Sequence, residues 1–231
     1  MKKLALVSAI VLITIYAFAQ PTRGTYGFKS GYVEYDLTGN TTGKKYLWWD
    51  DYGAKSYTET NAVTVIEMFG IKNETKQHTA TIINGDNYWS VNLATKTGQK
   101  GSISAMVAYE DYSKMTDAEK EKMADDLLKE LGGSKEGTEN FLGCDCIITN
   151  LLGSKAWNCK GVLLKIMVET MGVTANEFAI KFDKNISVPA SKFTEIPGIS
   201  YDDADEFVKM MQQYIENGDL EFELEEEEED E

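Results

Sequence analysis

Cysteines, a single histidine and a dense supply of carboxylates are the first side chains here to test for chemistry. Cys144 and Cys146 stand two apart, a spacing that puts both on one face of a strand, and Cys159 follows after a turn signal at Leu152-Gly153. If those two residues form the turn, Cys146 falls directly opposite Cys159, and a non-hydrogen-bonded pair at that position reaches disulfide distance. A Cys146–Cys159 disulfide with Cys144 left over is therefore the favoured pairing, and buried free thiols are the alternative. Cys144-Asp145-Cys146 as a redox motif, or with Cys159 as a metal centre, has weaker grounds because no fourth ligand is close in sequence. No metal and no cofactor is assigned.

Catalytic arrangements fare poorly. His78 is the sole histidine, and hairpin pairing sets it at the margin of an apolar face, where it reads as a packed or edge residue and not as a base. There is no Gly-x-Ser-x-Gly elbow, no His-Glu-x-x-His helix and no phosphate-binding glycine loop. Gly132-Gly133-Ser134-Lys135 ends a helix and lacks the Walker spacing. The 38 acidic residues supply no distinguished carboxylate pair. The chain is expected not to be an enzyme.

Acidity is informative in another way. The formal net charge is -15, and residues 219–231 contain ten carboxylates: Asp219, Glu221, Glu223, Glu225 to Glu229, Asp230 and Glu231. Such a polyanion repels nucleic acid and anionic membranes. Crowded like charges keep that segment from packing, so it reads as a disordered acidic tail, with a basic partner as its possible docking target. A run of glutamates also lacks the turn geometry of a tight calcium loop.

At the other end Lys2 and Lys3 precede an apolar run from Leu4 to Phe18, and Ala17-Phe18-Ala19 stands before Gln20. Positive charge, a short apolar core and a small-x-small site make residues 1–19 a cleavable signal peptide. The run is shorter than the roughly 20 apolar residues of a spanning helix. The expectation is an exported protein, periplasmic or secreted, without stable membrane insertion and with a single domain over residues 20–218.

The elements that must position any site are mostly strands. Val33, Tyr35 and Leu37 alternate with Glu34 and Asp36, residues 44–49 resume after a glycine-rich break, and residues 63–69 are rich in β-branched and aromatic types. Asn84-Gly85 between residues 79–83 and 86–93 is the clearest hairpin, a type I′ signal that would set Ala80 opposite Trp89. Thr116-Asp117-Ala118-Glu119 is a capping box that opens a helix, with Met123, Leu127, Leu128 and Leu131 at helical spacing before Gly132-Gly133. Residues 141–150, 156–170, 173–183 and 186–188 read as further strands. Residues 202–217 read as a second helix with Phe207, Met210, Met211, Tyr214 and Ile215 on one stripe. The long strand after Ala156 is apolar on both sides: Val162, Leu164, Ile166 and Val168 on one, Trp157, Cys159, Leu163 and Met167 on the other. Both sides must then be covered, one by a core and the other by a helix, a second sheet or a ligand.

Several patches resemble a family: Gly31-Tyr32-Val33-Glu34-Tyr35, Phe141-Leu142-Gly143 leading to Cys146, residues Trp157 to Lys165, and Lys192-Phe193-Thr194-Glu195-Ile196-Pro197. They look like an exported, largely uncharacterised bacterial domain family that is itself similar to LolA-type periplasmic carriers. The resemblance implies an antiparallel sheet folded into an incomplete barrel with helices over a concavity, and the second helix and acidic tail after Ser200 depart from that pattern. With the two helices read above, the expected fold is mainly β, of the α+β kind, a strongly curved antiparallel sheet forming an incomplete barrel with one or both helices covering the concave face. The resemblance further implies a hydrophobic concavity for a lipid, an acyl chain or a lipid-modified protein. Trp48, Trp89, Trp157, Leu163, Phe178 and Ile180 are the expected lining, and Met210 and Met211 the expected lid. The competing reading keeps the same residues as a filled core and makes the protein an envelope interaction or scaffold module acting through its surface or tail.

Overall fold

The computed structural model describes residues 25–68, 71–103, 116–170 and 173–205. The expected signal peptide, the acidic tail and Met210 and Met211 lie outside the described residues.

Among the described residues, twelve strands form one sheet. They are β1 (Gly31–Gly39), β2 (Thr41–Asp50), β3 (Lys55–Met68), β4 (Ile71–Asn84), β5 (Asn87–Asn92) and β6 (Thr97–Ser102). After the helix α1 (Asp117–Glu130) come β7 (Ser134–Phe141), β8 (Cys144–Leu151), β9 (Ser154–Cys159), β10 (Val162–Thr170), β11 (Val173–Lys184) and β12 (Ser200–Asp203). The spatial order is β12-β6-β5-β4-β3-β2-β1-β11-β10-β9-β8-β7. Two meanders thus meet where β1 pairs with β11, and only β12 pairs in parallel, against β6.

This corrects the expectation of an incomplete barrel lidded by two helices. β7 and β12 stand at the two ends of the sheet, so it is not closed, and α1 is the one α-helix described over its whole length. The capping box forms as read, with Glu119 N–H donating to Thr116 Oγ1 and Thr116 N–H to the Glu119 carboxylate. Yet Met123, Leu127 and Leu131 are exposed, so this stripe covers no sheet face. Of the expected second helix, residues 202 and 203 belong to β12, Ala204 and Asp205 are helical, and the remainder lies outside the described residues.

Local turn chemistry explains where the strand boundaries fall. Lys160 and Gly161 both adopt positive φ, dividing the expected long strand into β9 and β10. A Cβ at Gly161 would collide with the Thr25 carbonyl, so the close approach of residues 25 and 26 requires glycine there. Leu142-Gly143 makes an equivalent turn between β7 and β8. At the Asn84-Gly85 signal the two-residue loop is Gly85-Asp86, which moves the register by two. Ile82, not Ala80, faces Trp89, and Ala80 faces Val91. A shift of two keeps every side chain on its expected face.

Adjacent residues of a strand point to opposite faces, and β2 shows that the protein has a core on each. Trp49 belongs to a cluster with Val33, Tyr35, Leu47, Trp157, Val162, Leu164 and the three cysteines, capped by Tyr26 and Phe28. Its neighbour Trp48 packs into a second cluster, with Tyr57, Ala80, Ile82, Val91 and Phe193. What covers the second cluster is the crossover between β11 and β12: Val188, Phe193, Ile196, Ile199 and Tyr201 lie on it. Residues 186–188, expected as a strand, begin this strap.

The disulfide is a second correction. It joins Cys144 to Cys159, with Cα atoms 6.1 Å apart, and Cys146 is the free, buried thiol. The expected Leu152-Gly153 turn is present and the register runs to Ile147 opposite Asn158. The bond, however, forms diagonally, to the cysteine two residues further along the same face. Cys146 instead donates weakly from Sγ to the Cys144 carbonyl at 3.5 Å.

Candidate functional site

The expected lining residues do not meet in one hollow. Trp48 and Trp89 lie beneath the strap in the second cluster, whereas Trp157, 6% exposed, is buried in the first. Phe178 is half-buried beside Lys165, Leu163 is half-buried on β10, and Ile180 stands 45% exposed on β11. Met210 and Met211 lie outside the described residues.

The strap is held over Trp48 and Trp89 by specific contacts. Phe193 is 2% exposed and its carbonyl accepts from Asn84 Nδ2 at 3.1 Å. The Lys192 ammonium sits 3.8 Å from the Trp48 ring centroid and 4.5 Å from that of Tyr57. Each cation–π contact of this kind contributes about 0.5–2 kcal/mol according to its exposure. Glu195 accepts from the Trp89 indole at 3.3 Å and lies 3.7 Å from Lys100. Sequence reasoning recognised the Lys192 to Pro197 patch but did not assign it this role. Phe193 and Ile196 at three-residue spacing amid polar neighbours were the available signal.

Beside the strap, Glu59 accepts from Tyr57 Oη at 2.9 Å and meets His78 Nε2 at 3.0 Å. Burial alone would raise the Glu59 carboxyl, but hydrogen bonds from His78 and Tyr57, with the charges of His78 and Lys192, outweigh it and hold the carboxyl below its ordinary value. A lowered carboxylate contributes stability that is present at neutral pH and lost as pH falls through its folded-state value. Glu59→Gln should therefore remove part of the acid-side loss of melting temperature below about pH 5 while leaving the alkaline side unchanged. An unchanged acid limb, measured by thermal scans across pH, would contradict this assignment. The group serves the fold by tying β3 to β4.

The far half of the sheet presents apolar side chains on one side only partly covered. Ile147 (42% exposed) stands between buried Cys146 and half-buried Ile148, and Leu163 between fully buried Val162 and Leu164. Met167 (41%) precedes buried Val168, and Ile180 follows buried Ala179. Strand alternation sends Ile147, Leu163 and Ile180 to the face opposite the cysteine cluster, whereas the bulge between Leu163 and Lys165 breaks the alternation and sets Met167, opposite Lys155, on the side of Trp157. Ile147 and Leu163 share Asn158 as register partner. Phe178 faces Lys165 across β10 and β11. Among the described residues, no group of His, Cys, Asp and Glu is arranged to hold a metal ion. No described helix is long and apolar enough to cross a membrane.

No protein-family model matches the sequence, and no curated protein matches it. Among solved structures the chain is similar to an uncharacterized conserved protein from Thermus thermophilus, at 8% identity and a TM-score of 0.45 over 85% of this chain and 99% of that one. It is also similar to MucB, at 7% identity and a TM-score of 0.41 over 81% of this chain and 64% of that one. A further likeness is to LprF from Mycobacterium bovis, at 9% identity and a TM-score of 0.30 over 74% and 92%. These are distant likenesses of overall fold and assign neither a family nor a residue role.

Proposed function

We propose that this protein is an exported, non-catalytic binding protein that carries a hydrophobic ligand, the acyl chain of a lipid or of a lipid-modified protein, on the outer face of β8 to β11. The observation that supports this reading is the unequal fate of the two apolar sides of β10. Val162 and Leu164 are buried in the cysteine cluster, whereas Leu163, with Ile147 and Ile180 on neighbouring strands, faces outward. Isolated exposed apolar residues are ordinary, but a group on neighbouring strands marks an interaction surface. Each methylene buried there is worth about 0.8 kcal/mol. An acyl chain therefore binds without a dedicated polar partner.

Titration with a fluorescent fatty-acid probe tests the assignment. The wild-type chain should bind the probe, and the double variant Ile147→Asp/Ile180→Asp should bind it at least about tenfold more weakly, since two apolar contacts are replaced by charges that resist desolvation. Both sites are exposed, so the variant should keep its far-ultraviolet spectrum. Equal binding by the variant would move the ligand elsewhere. Absence of binding by the wild type, with a protein partner captured by the same face, would favour the interaction-module reading.

A further inference from the structure

Among the described residues, three lysines gather at one end of the sheet on aromatic rings instead of carboxylates. The Lys160 and Lys184 ammonium groups both lie 5.6 Å from the Phe28 ring centroid, and Lys184 is also 5.2 Å from that of Phe182. Lys184 donates to the Gly143 carbonyl at 3.2 Å, in the turn that follows Phe141. Lys165 lies 3.9 Å from the Trp157 centroid and 6.0 Å from that of Phe141. Three acidic residues of β7, β8 and β11 are engaged elsewhere: Glu139 accepts from the Trp157 indole, Asp145 from Asn140, and Asp183 pairs with Lys181. In a chain of net charge -15, three cations held on aromatic rings form a local site of the opposite sign.

We propose that Lys160, Lys165 and Lys184 dock a carboxylate-rich peptide, and that its occupant is this chain's own segment, residues 219–231. Charge complementarity is one argument, since that segment carries ten carboxylates. The path of the chain is the other. Asp205, the last described residue, accepts from the Ser102 amide and hydroxyl, both at 2.9 Å. From the neighbouring Gly101 an unbroken register row runs through Tyr88, Ile83, Ser56, Trp49 and Gly31 to Lys184. Ala204 packs against Ile83 and Tyr88, on the same face as Trp49. The row crosses six strand spacings, about 29 Å at roughly 4.8 Å each. Residues 206–218 reach about 20 Å as a helix and about 43 Å when extended. Extended, residues 206–218 span the row alone; as a helix they leave about 9 Å, which the first three or so residues of 219–231 cross.

The test is zero-length carbodiimide coupling of the full exported chain, followed by peptide mass spectrometry. At low ionic strength, amide cross-links within one molecule should join residues 219–231 to Lys160, Lys165 and Lys184 at least about fivefold more often than to exposed Lys72 and Lys96. They should fade in 1 M salt, where the screening length falls to about 3 Å. Cross-links spread evenly over all lysines, or found only between two molecules, would overturn the proposal. The Lys160→Gln/Lys165→Gln/Lys184→Gln variant, where folded, should lose the cross-links without redistributing them to Lys72.

Discussion

Phe193→Ala is expected to cost about 3–5 kcal/mol of stability, because the ring is almost wholly buried and its removal leaves a void that the strap and sheet refill only partly. The loss should exceed that of most single substitutions in the molecule. Phe193 anchors the crossover that covers Tyr57, Ala80, Ile82 and Val91, and a loosened strap exposes all of them. Urea unfolding reads the effect as a lower midpoint with an unchanged slope. Phe193→Leu, which keeps most of the volume, should lose far less. A loss under about 1 kcal/mol for the alanine variant would show that the strap rests on the sheet without holding it. The same variant should also raise the accessibility of Trp48 and Trp89 to a fluorescence quencher.

Removing the disulfide is the second large effect. Cys144 and Cys159 enclose a loop with a sequence separation of 15, for which chain entropy alone gives about 3 kcal/mol. Cys144→Ser and Cys159→Ser should therefore each destabilise by about 2–5 kcal/mol. Cys146→Ser should leave the bond intact and cost less. Burial pushes the Cys146 thiol up from its ordinary range, outweighing a backbone hydrogen bond from Phe141 that would lower it. The thiolate is thus disfavoured, and native protein should resist alkylation until unfolded, whereupon one thiol, at Cys146, reacts. Alkylation first at Cys144 would restore the pairing inferred from the sequence.

That pairing failed for an instructive reason. Turn residues fix register well, and the Leu152-Gly153 turn set the strands as expected. Register names the residue opposite, however, and not which of two thiols on one face rotates toward the third. The helix at Thr116 and the turn at Asn84-Gly85 were legible because each depends on local hydrogen bonds and on positive φ at glycine. β7 was not: Ser134-Lys135-Glu136-Gly137-Thr138-Glu139-Asn140 is polar throughout, and an edge strand bonded only to β8 buries too little to leave an apolar alternation.

The candidate site was legible only in part. Apolar strands were identified, yet the sequence does not say which face a distant segment covers. Trp48 and Trp89 were expected to line a hollow, and residues of the strap, more than a hundred positions away, fill that place. Leu163 and Ile180 remain outward, as does Ile147. The two apolar sides of β10 were visible in the alternation of its residues, and only the fold reveals which of them is the core.

Calorimetric titration of the protein with saturated fatty acids of increasing length tests the proposed ligand class most directly. If the outer face of β8 to β11 takes an acyl chain, affinity should strengthen with length by up to about 0.8 kcal/mol, or about fourfold, per added methylene until the face is filled. Affinity that does not change with chain length, or no binding at any length, would contradict the account.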